Sequence, residues 1–136
     1  MITFLPFADF RESAKSLDRQ RLGKQRAENL EIWNLINGSS NHPAVRMWRG
    51  YSGALCAYSI EICGEWIRRG YIDNTILKWY PRRVANYEDP WWLGREELHK
   101  SHRSKLIQKL PEWYRDELGW KEPVLPYFWP MDHVHV

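Results

Sequence analysis

The feature that most constrains the fold is a stripe of large apolar side chains between Pro43 and Gly70. Residues three and four positions apart share one face of an α-helix, and the stripe keeps these steps over about five turns. Pro43 suits the first turn of such a helix, Gly70 its C-terminal cap, and Arg68 and Arg69 the negative end of its dipole. The stripe consists of Trp48, Tyr51, Leu55, Tyr58, Ile62 and Trp66. We expect it to form the centre of the core, the alternative being a ligand role for its rings.

Further helices are predicted on both sides of this one, and nowhere does hydrophobicity alternate with a period of two. The fold class is therefore all-α, with an extended arm from Thr3 to Phe10 and an extended tail, rich in proline and aromatic residues, from Pro123 to Pro130. A loop is expected from Pro81 to Gly94. The predicted helices are Ala8–Ser16, Leu17–Ile36 closed by Asn37 and Gly38, Asp73–Tyr80 stopped by Pro81, and Arg95–Lys109 ended by Pro111.

Length and composition favour one compact, soluble domain. The 136 residues are enough for a single core, so residues 1–136 are expected to form one domain, here a monomer. Cys56 and Cys63 would lie about 10 Å apart on a helix, too far for a disulfide, which indicates a reducing compartment. No signal peptide or membrane span is evident. We expect a cytoplasmic protein, nucleoid-associated in a bacterium, or in the host cytoplasm if it comes from a phage.

Local charge, rather than total charge, points to an anionic partner. The net charge is only +3, but five basic residues lie between Lys15 and Arg26. At about 100° per residue, Arg21, Lys24, Glu28 and Glu31 share one helix face, whereas Leu22, Leu30 and Trp33 lie on the opposite, core side. One interpretation is a solvated face with pairs such as Lys24 with Glu28. The other is a phosphate-binding groove with an embedded carboxylate.

Two basic residues of this helix, Arg19 and Arg26, fall on its apolar side. Charges on a core-facing stripe are costly unless carboxylates, aromatic faces or a bound phosphate match them. The nine Trp and seven Tyr are expected to fill the core for the most part, with a few at a ligand surface.

Weaker candidates for phosphate binding lie elsewhere in the chain. His42, Arg46 and Arg49 lie at the N-terminal end of the central helix, where its dipole favours an anion. A second group is either exposed helix surface or a phosphate site, and consists of Ser101, His102, Arg103 and Ser104. The pairs His99 with His102 and His133 with His135 have spacings compatible with metal but lack a third ligand, so no metal and no cofactor is expected.

Four segments, taken in order, resemble the pyrimidine-dimer DNA glycosylases, the phage endonuclease type that repairs ultraviolet damage. The resemblance runs from about Leu17 to Arg115 and is carried by the order and spacing of the segments. They are LDRQRLGKQRAE, NHPAVRMW, a helix ending EWIRRGY, and LIQKLPEWYR. The family is all-α and metal-free. Its members flip nucleotides, attack the sugar C1′ with the α-amino group of the first residue, form a Schiff base and cleave the backbone by β-elimination.

The resemblance also implies roles for individual residues. The essential glutamate of the family is similar in position to Glu28, and its basic residue seven positions earlier to Arg21. Ile2 is too bulky to favour removal of the initiator methionine, so the reacting amine is expected to be that of Met1. Ala27 stands where the family has an arginine immediately before the glutamate. We therefore expect Met1 and Glu28 to be catalytic. The expected DNA-binding residues are Arg21, Lys24, Arg26, His42, Arg46, Arg49, His102, Arg103, Lys105, Trp113, Tyr114 and Arg115.

The predicted function is that of a DNA glycosylase with AP lyase activity on double-stranded DNA, with a pyrimidine dimer as the main candidate lesion. An α-amino group, with a reference pKa of about 7.7 to 8.0, is a better nucleophile near neutrality than a surface lysine. Two alternatives stay open. One is a non-catalytic DNA-binding protein on the same scaffold, and the other is an enzyme that acts on hypermodified bases of phage DNA.

Overall fold

The structure is a computed structural model, and it describes residues 1–130. The centre of the fold is helix α4, Ser52–Arg68, against which α1, Phe10–Ser16, and α2, Arg19–Leu35, both pack. The predicted apolar stripe lies on the inner face of this region: five of its six side chains are buried, and Trp66 is half-buried. The core position of the stripe is confirmed.

The predicted helix from Pro43 to Gly70 is wrong in one respect, because it is interrupted. A short helix α3, Pro43–Arg46, is followed by turns up to Tyr51 before α4 begins. Gly50 lies in the interruption with φ +85°, a conformation that glycine adopts without strain. The break lets the buried Trp48 ring meet Trp92 edge to face, with ring centroids 5.0 Å apart. At the other end, Gly70 has φ +95°, as expected for a residue that closes a helix.

Helix α2 ends without the predicted glycine cap. Its C-cap is Ile36, and Gly38 does not have a positive φ. Instead, the Arg49 guanidinium donates hydrogen bonds to the carbonyl oxygens of Ile36, Gly38 and Ser40 at 2.8 to 3.1 Å. A cation at a helix C-terminus satisfies carbonyls that have no partner within the helix. The interruption between α3 and α4 places Arg49 for this purpose.

The buried face of α2 is more polar than the sequence indicates. Leu22, Gln25, Asn29 and Ile32 are buried, whereas Leu30 and Trp33 are half-buried. The core-side position predicted for Arg19 is wrong, because Arg19 is exposed on the first turn.

Arg26, the second basic residue predicted on the apolar side, has the partners that such a position requires. Its guanidinium lies 2.6 Å from the buried Asp73 carboxylate and 4.7 Å from the centroid of the Trp66 ring. The Trp66 ring in turn lies against Gly23, where an added Cβ would approach it to 3.0 Å. A side chain at position 23 would therefore require the Trp66 ring to shift by a few tenths of an ångström.

The remaining helical elements follow α4 in the chain. After α5, Ile76–Trp79, a 3₁₀ turn at Tyr80–Arg82 contains Pro81, so Pro81 lies within the turn and does not stop it. Helix α6, Glu96–Lys109, is followed by one π-helical turn, Glu112–Glu117.

From residue 121 to 130 the chain has no regular secondary structure and crosses α6. Ser104 Oγ accepts a hydrogen bond from Leu125 N at 2.8 Å and donates to Pro123 O at 2.7 Å.

Residues 1–130 contain no β-strand, so the all-α prediction is confirmed. Cys56 and Cys63 are buried free thiols, as predicted, and burial raises the pKa of Cys63 to about 12. In the same residue range, no helix combines the length and the apolar character needed to cross a bilayer. His133 and His135 lie outside the described residues.

Candidate active site

The first residues of the chain lie against the polar side of α2. The backbone N–H of Ile2 donates to Glu28 Oε2 at 3.3 Å. Three residues earlier on the same helix, the buried Gln25 amide accepts from Phe4 N at 3.0 Å and donates to the Ile2 carbonyl at 2.8 Å. Residues at i and i+3 of a helix are neighbours on its surface, so Gln25 and Glu28 face the same segment of the arm. Together they fix the start of the chain beside a carboxylate.

A cavity of about 360 Å³ opens beside this contact. Met1, Ile2 and Glu28 line it, and α2 contributes four further polar side chains, Gln20, Arg21, Lys24 and Gln25. Lys109 from the end of α6 and His42 from the start of α3 complete a group of basic residues that we call the basic wall: Arg21, Lys24, His42 and Lys109. The carboxylate of Glu28 thus lies in a cavity whose remaining charged groups are basic.

Two residues of the basic wall are oriented by neighbouring groups. The Arg21 guanidinium lies 3.2 Å from Asp18, which also accepts a hydrogen bond from the buried Tyr114 hydroxyl at 2.6 Å. The His42 Nδ1 accepts from Ala44 N at 3.0 Å and so caps α3. In a neutral imidazole that accepts at Nδ1, the proton is on Nε2, which is left as a donor.

Three aromatic rings also line the cavity, and we call them the aromatic wall: Phe4, Tyr127 and Trp129. The Tyr127 and Trp129 rings contact each other, with centroids 5.3 Å apart, and Lys105 Nζ lies 5.0 Å from the Tyr127 centroid. Burial, together with the nearby charge of Glu28, raises the pKa of the Tyr127 hydroxyl. The Tyr127 and Trp129 rings are half-buried, and flat, partly exposed rings are surfaces on which nucleobases stack.

Five of the fourteen residues predicted for the site are brought together at the cavity: Met1, Arg21, Lys24, Glu28 and His42. Arg26 is not among them, because it pairs with Asp73, about 160° around the helix from Glu28. Arg46 is half-buried on α3 and does not line the cavity, and Arg49 caps α2.

Two of the residues predicted on α6, His102 and Arg103, have hydrogen-bond partners within the protein. His102 is fully buried, and its Nδ1 accepts from Leu5 N at 2.8 Å. Burial lowers the pKa of His102 to about 3, so the ring is neutral at pH 7. Arg103 binds Glu122 at 2.7 Å and donates to the Pro6 carbonyl at 2.7 Å. The sequence left two alternatives for these residues, a phosphate site or exposed helix surface. Their internal partners indicate instead that His102 holds the arm and that Arg103 holds the arm and the tail.

The aromatic pair predicted near the C-terminus also faces inward. Trp113 Nε1 donates to Ser16 O at 2.8 Å, and the Tyr114 hydroxyl accepts from Asp18 N at 2.9 Å while it donates to the Asp18 carboxylate. Arg115 is exposed and does not line the cavity. The pair therefore fixes the start of α2 and, through Asp18, Arg21.

Several residues of the cavity were not predicted from the sequence. Gln25 belongs to the buried face of α2, where a polar residue gives no periodic signal. Tyr127 and Trp129 did offer a signal, because residues two apart in an extended segment lie on the same side of the chain. The residues missed are Phe4, Gln20, Gln25, Lys109, Tyr127 and Trp129.

The arrangement is suited to covalent chemistry on a phosphate-bearing ligand. A primary amine at the start of the arm would act as a nucleophile, a carboxylate would accept protons, and the basic wall would bind phosphates. Over residues 1–130, no three His, Cys, Asp or Glu side chains are grouped so as to hold a metal ion.

Comparison with known proteins identifies a family for the chain. The model of one family, described as pyrimidine dimer DNA glycosylase, matches residues 1–78, which include the arm, α2 and Glu28. Lys109, Tyr127 and Trp129 lie beyond the matched residues. Neither the curated proteins nor the solved structures contain a match to the chain. The family model covers more than half of the sequence, and we conclude that the chain belongs to the pyrimidine dimer DNA glycosylase family.

Proposed function

We propose that this protein removes a damaged or modified base from double-stranded DNA and then cleaves the strand, acting as a DNA glycosylase with AP lyase activity. The observation that carries the proposal is the contact between Ile2 N and Glu28, which places the start of the chain at a carboxylate inside a basic cavity. A pyrimidine dimer is the lesion that family membership favours. The basic wall and the aromatic wall of the cavity suit a ligand that has both phosphates and flat rings.

The proposed reaction uses two groups of the protein. The α-amino group of Met1 attacks C1′ of the damaged nucleotide, the bond to the base breaks, and the base leaves with the bonding electrons and a proton. The C1′–O4′ bond then breaks, O4′ takes a proton and becomes a hydroxyl, and the nitrogen keeps its remaining proton in a protonated Schiff base with C1′. A proton acceptor of the protein removes a proton from C2′, and the 3′ phosphate leaves. Water then hydrolyses the Schiff base and frees the amine. Glu28 is placed to accept and return these protons.

The geometry also accommodates a second nitrogen. If Met1 is removed, the nitrogen that becomes the amine is that of Ile2, which already lies 3.3 Å from Glu28. Intact mass and N-terminal sequencing of the purified protein show which residue is first. An added N-terminal glycine that cannot be removed would move the amine away in either case, and should abolish covalent chemistry while leaving DNA binding in place.

Borohydride reduction of the Schiff base tests the proposal. We expect the wild-type protein to form a covalent adduct with a duplex containing an abasic site and with one containing a thymine dimer, and not with undamaged DNA. A protein that binds duplex DNA in a salt-sensitive manner but traps none of a panel of damaged and hypermodified substrates would contradict the enzymatic proposal. That result would identify a non-catalytic DNA-binding protein on this scaffold.

A further inference from the structure

The arm is extended, but side chains rather than a neighbouring strand bind its backbone. The Phe4 carbonyl accepts from the buried Tyr58 hydroxyl, and His102 and His99 bind Leu5 N and Leu5 O, both at 2.8 Å. These contacts come from α4 and α6 and hold the arm from Phe4 onward. Closer to the amine, Gln25 is the buried side chain that binds the backbone on both sides of Thr3.

The two hydrogen bonds of Gln25 are made by different atoms of one amide. Oε1 accepts from Phe4 N at 3.0 Å, and Nε2 donates to Ile2 O at 2.8 Å. This is the pairing that an adjacent β-strand would provide to residues 2 and 4. A slip of the arm by one residue would reverse the order of donors and acceptors facing Gln25, and it would move the start of the chain by about 3.3 Å.

The orientation of the amide is fixed by the groups behind it. The Leu55 carbonyl can only accept, so the Ser59 hydroxyl donates to it at 2.7 Å and accepts from Asn29 Nδ2 at 3.1 Å. Asn29 therefore presents Oδ1 to Gln25, which must offer Nε2 in return, at 2.8 Å. A Gln25 amide turned the other way would set two acceptors against each other in a buried site. Leu55, Ser59 and Asn29 thus determine which atom faces which end of the arm.

We infer that Gln25 is a positioning residue for the reaction, because it sets the register of the arm and with it the distance between the N-terminal amine and Glu28. The inference rests on the proposed function, since it assigns Gln25 an effect on the amine chemistry. Gln25 does not act on the substrate itself. Its role is exerted through the backbone of Ile2, whose N–H reaches Glu28 and whose carbonyl reaches Gln25.

The test compares Gln25→Met with Gln108→Met. Each change replaces an amide by a thioether of similar length, on α2 for Gln25 and on α6 for Gln108. The Gln108 amide donates hydrogen bonds to Ser104, and Gln108 does not line the cavity. In Gln25→Met we expect the single-turnover rate of borohydride trapping on an abasic duplex to fall about 100-fold, since a displacement of about 1 Å has effects of that size. The Kd for the duplex should stay within about threefold of wild type. Gln108→Met should trap at the wild-type rate.

Hydrogen exchange of the arm amides gives a readout that does not depend on catalysis. In Gln25→Met, the Ile2 and Phe4 amides should exchange faster than in wild type, while Leu5, bound by His102, keeps its protection. If Gln25→Met does not fold, Gln25→Asn serves instead, because it keeps an amide but is one CH₂ shorter and cannot reach Phe4 N and Ile2 O from the same position. Slower trapping with unchanged Kd is the expected result for Asn as well.

Three results would overturn the inference: a trapping rate equal to that of wild type, a loss of rate that follows entirely from weaker DNA binding, or unchanged exchange at Phe4. A wild-type protein that traps nothing would instead overturn the proposed function and, with it, the catalytic role of Gln25. The two failures are therefore distinguished by the wild-type protein alone.

Discussion

The backbone nitrogen of Ile2 lies 3.3 Å from Glu28 Oε2, although 26 positions separate the two residues in the sequence. Consecutive Cα atoms are about 3.8 Å apart, so the amine of Met1 is within one residue of the same carboxylate. This relationship is the basis of the proposed mechanism and of the predictions below.

Replacing Glu28 with Gln should abolish most of the cleavage while preserving DNA binding. The Gln amide oxygen can still accept from Ile2 N, so the arm stays in place, but the side chain no longer accepts a proton. We expect strand cleavage at a dimer or an abasic site to fall about 100-fold or more.

Glu31→Gln makes the same charge change one turn away, on an exposed residue outside the cavity, and should cleave normally. Equal activity of Glu28→Gln and wild type would contradict the role of Glu28.

Lys24 and Arg26 lie on the same helix but should respond differently to replacement by Ala. Lys24 is exposed at the cavity, so Lys24→Ala should weaken binding to damaged and undamaged duplexes alike and reduce the slope of log K against log salt by about 1. Arg26→Ala should leave this slope unchanged and lower the free energy of unfolding by about 3 kcal/mol, because the buried Asp73 carboxylate would lose its ion-pair partner. A reduced salt slope in Arg26→Ala would contradict the assignment.

Trp129→Ala should separate base recognition from strand cleavage. Stacking on an aromatic side chain contributes about 1 to 3 kcal/mol per base, so turnover of a dimer-containing duplex should fall about tenfold. Cleavage at an abasic site, where no base is present to stack, should change little.

The control is Phe128→Ala, which removes a ring from the same tail segment but not from the cavity. Equal losses on both substrates in Trp129→Ala would mean that the aromatic wall acts on the fold rather than on the base.

The stability of the protein should depend on His102 at acidic pH. The folded-state pKa of about 3 lies below the ordinary value of 6.5, so the unfolded chain takes up the proton first. The stability contributed by neutral His102 is complete above about pH 6.5 and decreases by about 1.4 kcal/mol per pH unit as the pH falls toward 3.

His102→Asn keeps an acceptor for Leu5 N but does not titrate. Urea unfolding at several pH values should therefore show a shallower acid slope for the variant. Parallel slopes for variant and wild type would contradict the assignment of this proton to His102.

Much of the fold follows from the sequence because its core signals are local. The stripe from Trp48 to Ile62 is buried, and Gly70 closes α4 as its position predicts. The interruption at Gly50 was not predicted, because a single glycine within a periodic segment is compatible with a continuous helix. What breaks the helix is tertiary: Arg49 binds the end of α2, and Trp48 packs against Trp92.

Charge and resemblance together predicted Arg21, Lys24 and Glu28 of the candidate site, and Met1 and His42 are the other predicted residues that line the cavity. Gln25 and Asn29 were missed because a buried polar network leaves no hydrophobic period in α2. Conversely, His102 and Tyr114 were assigned to DNA although their hydrogen bonds are internal, to Leu5 and Asp18. Residue type and helix position do not distinguish a phosphate contact from a buried hydrogen bond made to a distant segment.

The most direct test of the proposed mechanism is to locate the covalent bond. After borohydride reduction of wild-type protein with an abasic duplex, peptide mass spectrometry should place the sugar remnant on the α-amino group of the first residue. Lys24 and Lys109 also line the cavity and carry primary amines, so they are the internal controls. An adduct on the α-amino group is the predicted result, and an adduct on either lysine, or none at all, would contradict the mechanism.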